Sequence, residues 1–187
     1  MTADPPDGFH YRPDFLSIAD EHELAEPIRR LPFGEVRMHG VAARRRTAHF
    51  GWRYGYESWS IEPGPAFPDF LLPLRDRAAT LVALAPDDLA EALVTEYPPG
   101  AGIGWHRDAP QFGPVIVGIS LLGACRFRFQ RGQGMAARAT YALNVEPRSV
   151  YVLSGAARST WQHAISPTKT LRYSITFRTL RRRQPAV

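Results

Sequence analysis

From about residue 92 onward the chain is a succession of short β-rich runs cut by glycine and proline: "LVTEY", "IGWH", "VIVGISL", "CRFRFQ", "ATYALNV", "SVYVLSG" and "LRYSITFRTL". Runs of this length and spacing read as strands, and several in succession point to a sandwich or jelly roll. Helical signals are confined to the first half. One helix is predicted over 20–31, with Asp20 and Glu23 in capping-box spacing and Leu24, Ile28 and Leu31 on one face. A second is expected over about 69–84, while Asp87 and Asp88 ahead of "LAEALV" start either a further helix or a strand. The expected class is mainly β with flanking helices (α+β). With 187 residues, 44% of them hydrophobic, one domain with a real core is the default.

A single cysteine, Cys125, excludes an internal disulfide framework and a cluster of thiolate metal ligands. Any metal must therefore use imidazole or oxygen ligands. The net charge of +5 comes almost wholly from arginine, since Lys169 is the only lysine. That balance permits nucleic acid as a partner, and a solvated basic surface accounts for it equally. No apolar run approaches the roughly 18 to 20 residues that cross a bilayer, and "MTADPPDGFH" lacks the pattern of a secretory signal. The expectation is a soluble, cytoplasmic protein.

The stretch "IGWHRDAP" is the first with chemistry in it. On a strand, side chains two apart share a face, so His106 and Asp108 can meet one ion while Arg107 points away. A third ligand must come from elsewhere, and His163 in "STWQHAISP" is the best candidate. Two histidines and a carboxylate with open positions form the facial triad of non-haem Fe(II) oxygenases, and three ligands plus water also suit catalytic zinc. Ordinary hydrogen bonds would satisfy unrelated histidines as well. In "LRYSITFRTL", Arg172, Ser174, Thr176 and Arg178 share one face of a strand, with Tyr173, Ile175 and Phe177 opposite. If the arginine face is buried it needs an anionic, preferably dianionic, ligand; if it is solvated it needs none.

The order His-x-Asp, a distant His, then Arg and a second Arg six residues on, set in "EYPPGAGIGWHRD" and "RYSITFR", resembles the AlkB family of Fe(II)- and 2-oxoglutarate-dependent dioxygenases over roughly 92–180. The resemblance implies a double-stranded β-helix, or jelly roll, with an N-terminal extension. It makes 1–187 a single dioxygenase domain, with helices and a nucleotide-recognition lid over about 1–90 and the catalytic β-helix over about 91–180. His106, Asp108 and His163 then stand as iron ligands and catalytic residues. Arg172 resembles the partner of the distal carboxylate of 2-oxoglutarate, and Arg178 that of the metal-side carboxylate or of the ligand aspartate. Tyr97 resembles the tyrosine that hydrogen-bonds the co-substrate, while Thr95 and Ser174 stand where asparagines are common and can still hydrogen-bond. Fe(II), 2-oxoglutarate and O2 are the implied cofactors. Their chemistry gives succinate and carbon dioxide and hydroxylates a nearby C–H bond; on an N-methyl group the product collapses to formaldehyde and the free amine.

The first half carries one more motif, "RRRTAHFGWRYGYESW". Phe50, Trp52, Tyr54 and Tyr56 alternate with other residues beside Arg44, Arg45 and Arg46, which supplies stacking surfaces next to phosphate-binding groups. An aromatic core strand with solvated arginines would look the same. In the AlkB family this region resembles the nucleotide-recognition lid, which makes Arg44, Arg45, Arg46, Trp52, Tyr54 and Tyr56 candidate substrate contacts and alkylated DNA or RNA the expected partner, as in alkylation repair. Several nucleic-acid demethylases of the family have an acidic residue just beyond the ligand aspartate, where this chain has Ala109-Pro110. The same oxidation of a protein or small molecule is the alternative, and a non-catalytic binding module is the reading from outside enzymology.

Overall fold

The computed structural model describes residues 4–38, 41–55, 60–132 and 139–181. The described residues include twelve strands, three α-helices and two 3-10 turns. The larger sheet runs in the order β1 (Phe9–Arg12), β10 (Val150–Leu153), β7 (Phe112–Leu121), β12 (Arg172–Leu180), β5 (Leu89–Tyr97), β3 (Val41–Gly55) and β2 (Gly34–Met38), and β4 (Ser60–Pro63) pairs with the far end of β3. The smaller sheet is β6 (Ile103–His106), β11 (Gln162–Ile165), β8 (Cys125–Arg131) and β9 (Ala139–Val145). Every ladder is antiparallel. All seven runs read as strands from the sequence are strands, and the two sheets form the expected jelly roll.

The alternation of β7 and β12 divides the core. Val117, Ile119 and Leu121 with Tyr173, Ile175 and Phe177 face outward onto Leu24, Ile28, Leu71, Leu74 and Ala78 of the helical layer. Ile116 faces inward with Phe9, Phe127, Phe129 and Leu153, between the sheets. The other face of β12 is buried too: Arg172, Ser174 and Thr176 are each less than 9% exposed. The solvated alternative for the arginine face therefore does not hold.

Three features differ from the sequence expectation, and one open alternative is settled in favour of a strand. Helix α1 spans Ile18–Arg29 rather than 20–31, because Ser17 is its cap: Ser17 Oγ accepts from the Asp20 amide at 3.0 Å and Asp20 Oδ2 accepts from the Ser17 amide at 2.8 Å. Asp20 is thus the third residue of the box, not its first. The second helix opens as a 3-10 turn, Asp69–Leu71, continues as α2 (Leu72–Leu81), and is finished by Ala83 at φ 54°. Asp87 and Asp88 form a single 3-10 turn that leads straight into β5. The first half also supplies four strands of its own, so the helices are a layer on the sheet.

Helix α1 also braces the sheet. Glu21 Oε1 accepts from the Leu122 amide at 2.8 Å, and Oε2 accepts from Arg148 at 3.2 Å. Both partners are non-glycine residues at positive φ, 67° and 63°, a conformation that costs energy unless its surroundings hold it. Leu122 closes β7 two residues after Ser120, so this brace fixes the strand end that carries Ser120. Glu21→Ala is expected to cost about 2 kcal/mol by leaving a half-buried guanidinium and a backbone donor unpaired. A denaturant midpoint unchanged from that of the parent would refute it.

Candidate active site

β6 and β11 pair so that His106 and His163 are direct cross-strand partners, their ring centroids 4.3 Å apart. Asp108 joins them from beyond the end of β6, so strand alternation is not what aims it. Two arginines aim it instead. Arg158, on the short helix α3 (Gly155–Ser159), donates to the carbonyl oxygens of Asp108, Ala109, Phe112 and Gly113 at 2.9–3.3 Å and so shapes the loop. Arg178 donates from Nε and Nη2 to Asp108 Oδ1. Asp108 Oδ2 is left facing His163 Nε2 at 3.4 Å. One ligand atom from each of His106, Asp108 and His163 falls within 4.8 Å of the others, a spacing that suits a single ion.

The electrostatics suit a cation. Burial, with the neighbouring His106, pushes His163 down to about 3, and burial also lowers His106 against the pull of Asp108. Both rings are therefore neutral at physiological pH, the state in which imidazole ligates. Burial alone would raise the Asp108 carboxyl, but Arg178, His163, His106 and Arg158 together outweigh it and hold the group well below the usual carboxylate range. The Nδ1–H of His106 donates to the Gly104 carbonyl at 2.9 Å, which leaves Nε2 with its lone pair.

The inner face of the larger sheet carries the second half of the site. Arg172 stands opposite Tyr97 on β5, and Ser174 stands between Thr95 on β5 and Ser120 on β7. Arg172 is 0% exposed. Its Nε donates to Ser120 Oγ at 2.9 Å and its guanidinium lies over the Tyr97 ring, 5.1 Å from the centroid. Nη1 and Nη2 are buried with no hydrogen-bond partner among the described residues. A buried guanidinium with two idle donors fits an anionic co-substrate, and a carboxylate is the planar group that takes both. Burial pushes the Tyr97 hydroxyl up, with Arg172 opposing, so it is a neutral donor. Gly118 on β7 admits the ring of Tyr151, since a Cβ there would stand 2.1 Å from Cζ.

The basic-aromatic motif of the first half is divided by β3. Arg45 is buried, and its charge is felt at both Tyr97 and His106, so it faces the site. Arg46 lies on the other face and donates twice to Glu96, at 2.9 and 2.7 Å, while exposed Arg44 lies over the turn at Gly100. The aromatics do not form one face either. Gly51, at φ 76°, takes β3 off β5 and onto β4, leaving Phe50 in the core and Trp52 exposed on the β3–β4 ribbon. Tyr54 pairs with Ile61 on that ribbon, and Tyr56 lies outside the described residues, as does the basic tail 182–187.

Sequence reading missed Ser120, Glu91, His49 and the clamping role of Arg158. Ser120 sat in an apolar run, and Glu91 in a segment left open between helix and strand; register alone brings each to an arginine.

The chain matches the family described as the 2OG-Fe(II) oxygenase superfamily over residues 11–178. It is 31% identical to the alpha-ketoglutarate-dependent dioxygenase AlkB of Escherichia coli (strain K12), over 73% of this chain and 70% of that protein. It is 28% identical to an alkylated DNA repair protein ALKBH8 homolog of Arabidopsis thaliana, over 84% of this chain and 50% of that protein. It is also 28% identical to a probable RNA/DNA demethylase ALKBH6 of Danio rerio, over 65% and 49% respectively. The chain thus spans about half the length of these last two relatives. Among solved structures, OsALKBH1 superposes with a TM-score of 0.74 at 17% identity, covering 95% of this chain and 99% of that one. A Pseudomonas putida prolyl-4-hydroxylase superposes at 0.65 and 15%, covering 94% of each. These two likenesses concern the fold.

Proposed function

Because the chain belongs to the AlkB family of 2OG-Fe(II) oxygenases, we propose that it removes alkyl groups from bases of DNA or RNA by oxidation. The enzyme is an oxidoreductase that uses Fe(II), 2-oxoglutarate and O2. No helix among the described residues is long and apolar enough to cross a membrane.

In this reading His106 Nε2, Asp108 Oδ2 and His163 Nε2 hold the iron, and Arg172 takes the distal carboxylate of 2-oxoglutarate with Tyr97, Thr95 and Ser174 beside it. When bound, iron and 2-oxoglutarate would supply the O2-dependent hydroxylation of a C–H bond, with release of succinate and carbon dioxide, and an N-methyl group so hydroxylated would leave as formaldehyde. The protein's own part is positional. Arg178 and Arg158 keep Asp108 on the metal side, and the two buried sheet faces keep bulk water from the co-substrate.

The observation that carries the substrate class is a cavity of about 690 Å³ that has Asp108 in its wall and is lined by Arg107, Arg158 and Arg181 with Phe112 and Pro114. Asp108 is the sole carboxylate among the described residues that line it, and that is already paired with Arg178. Positive charge along an open groove beside the reactive centre suits a phosphodiester backbone. Exposed Trp52 on the β3–β4 ribbon and Arg45 at the site supply the stacking and polar groups that an extruded base needs. Ala109-Pro110 favours a second reading, the same oxidation of a protein or small molecule, because the acidic base contact of several relatives is missing there.

Succinate formation measured against methylated single-stranded DNA, duplex DNA, RNA and methylated peptides separates the two. We expect stimulation by at least one methylated oligonucleotide. Arg107→Ala/Arg181→Ala should weaken oligonucleotide binding and flatten its salt dependence by about 0.7 in log–log slope for each phosphate that a single strand then leaves unneutralised. Stimulation by peptides alone would overturn the proposal.

A further inference from the structure

We propose that Glu91, oriented by His49, is a positioning residue of the metal centre, which it serves through Arg178. Glu91 is 0% exposed and stands opposite Arg178 across the β5–β12 ladder. Arg178 Nη1 donates to Glu91 Oε2 at 2.9 Å while Nε and Nη2 hold Asp108 Oδ1, so one guanidinium joins two carboxylates. His49 faces Leu93 across the β3–β5 ladder and reaches Glu91 diagonally; its Nδ1 lies 3.2 Å from Glu91 Oε1. A carboxylate only accepts, so the imidazole nitrogen is the donor.

Two consequences follow for a cation at His106, Asp108 and His163. The first is geometric. With Nη1 fixed on Glu91, the guanidinium plane cannot swing, so Asp108 stays oriented with Oδ1 occupied and Oδ2 turned toward His163. The second is electrostatic. A lone arginine on a ligand carboxylate would cancel the charge that attracts a divalent ion, and the second carboxylate restores it: Asp108, Arg178 and Glu91 sum to one negative charge. Groups behind a ligand commonly set metal affinity by roughly 10- to 100-fold. The inference rests on membership of the oxygenase family and is independent of what the substrate is.

Glu91→Gln keeps the shape and removes the charge. Titration of the metal-free protein with Mn(II) should show affinity weakened by about 10-fold or more. In turnover, the metal concentration for half-maximal rate should rise while kcat at saturating metal stays within about threefold, and the visible spectrum of the Co(II) form should change as Asp108 reorients. Mn(II) affinity within twofold of the parent's would overturn the proposal. Should Glu91→Gln fail to fold, His49→Ala reads the same tether from its more exposed end: weaker Mn(II) binding restored by His49→Gln supports it, and unchanged binding overturns it.

Discussion

Arg172→Met is expected to raise the 2-oxoglutarate concentration for half-maximal turnover by about 10- to 150-fold, the equivalent of about 1.5–3 kcal/mol for a charge-assisted hydrogen-bonded pair. The same substitution should leave the ligand-free protein as stable as before, or more so. Arg172 is fully buried with one of its three nitrogens satisfied, by Ser120, and two idle. A guanidinium in that state costs the fold desolvation that the Ser120 hydrogen bond and the Tyr97 ring offset only in part among the described residues, so an apolar side chain of similar reach relieves the cost. Opposite signs for stability and co-substrate binding distinguish this arginine from a structural ion pair, whose loss lowers both. Thermal melts with and without 2-oxoglutarate check it: the rise in midpoint on adding co-substrate should vanish in the variant. A variant that melts much lower and still responds to 2-oxoglutarate would refute the assignment.

His163→Ala is expected to remove turnover altogether. His163 offers one of the three candidate ligand atoms, and burial has already neutralised its ring, so a metal held there would lose a ligand that is ready to bind without giving up a proton. Loss of a direct ligand should weaken Mn(II) binding by more than the roughly 10- to 100-fold typical of residues behind the ligands. The fold should survive, because the ring packs against Phe127 and Phe129, which remain in place in the inter-sheet core. Succinate formation at background level alongside an unchanged circular dichroism spectrum is the expected pair of results. Succinate formation comparable to the parent's would show that His163 is not a ligand.

How much of this could be read in advance follows from how far each role depends on register. Arg172 and Arg178 were legible because alternation along one strand, β12, puts both on a single face and needs no partner to define it. His106 and His163 were legible by chemical type, although their pairing across β6 and β11 was not. Asp108 came out of a sound rule applied in the wrong place: it lies past the strand, held by Arg158 and Arg178. Glu91 and His49 were invisible because each acquires its role from a residue on a neighbouring strand, and no local pattern encodes which strands become neighbours. The aromatic run misled for a related reason. Gly51 changes the partner of β3 in mid-strand, so a period of two that is regular in sequence serves two different surfaces.

The position of β6 has a bearing on handling as well as chemistry. This strand has only four residues, lies at the rim of the smaller sheet, and among the described residues is laddered on one side only, to β11. A rim strand so short is the kind that frays first and offers its unpaired backbone to other molecules. His106 and His163 sit on these two strands directly across from each other, so an ion gripped by both rings would rivet the rim shut from the side-chain direction. Chelation is then expected to do two things at once, silencing the enzyme and unfastening a sheet edge, and prolonged dialysis against a chelator should lower solubility.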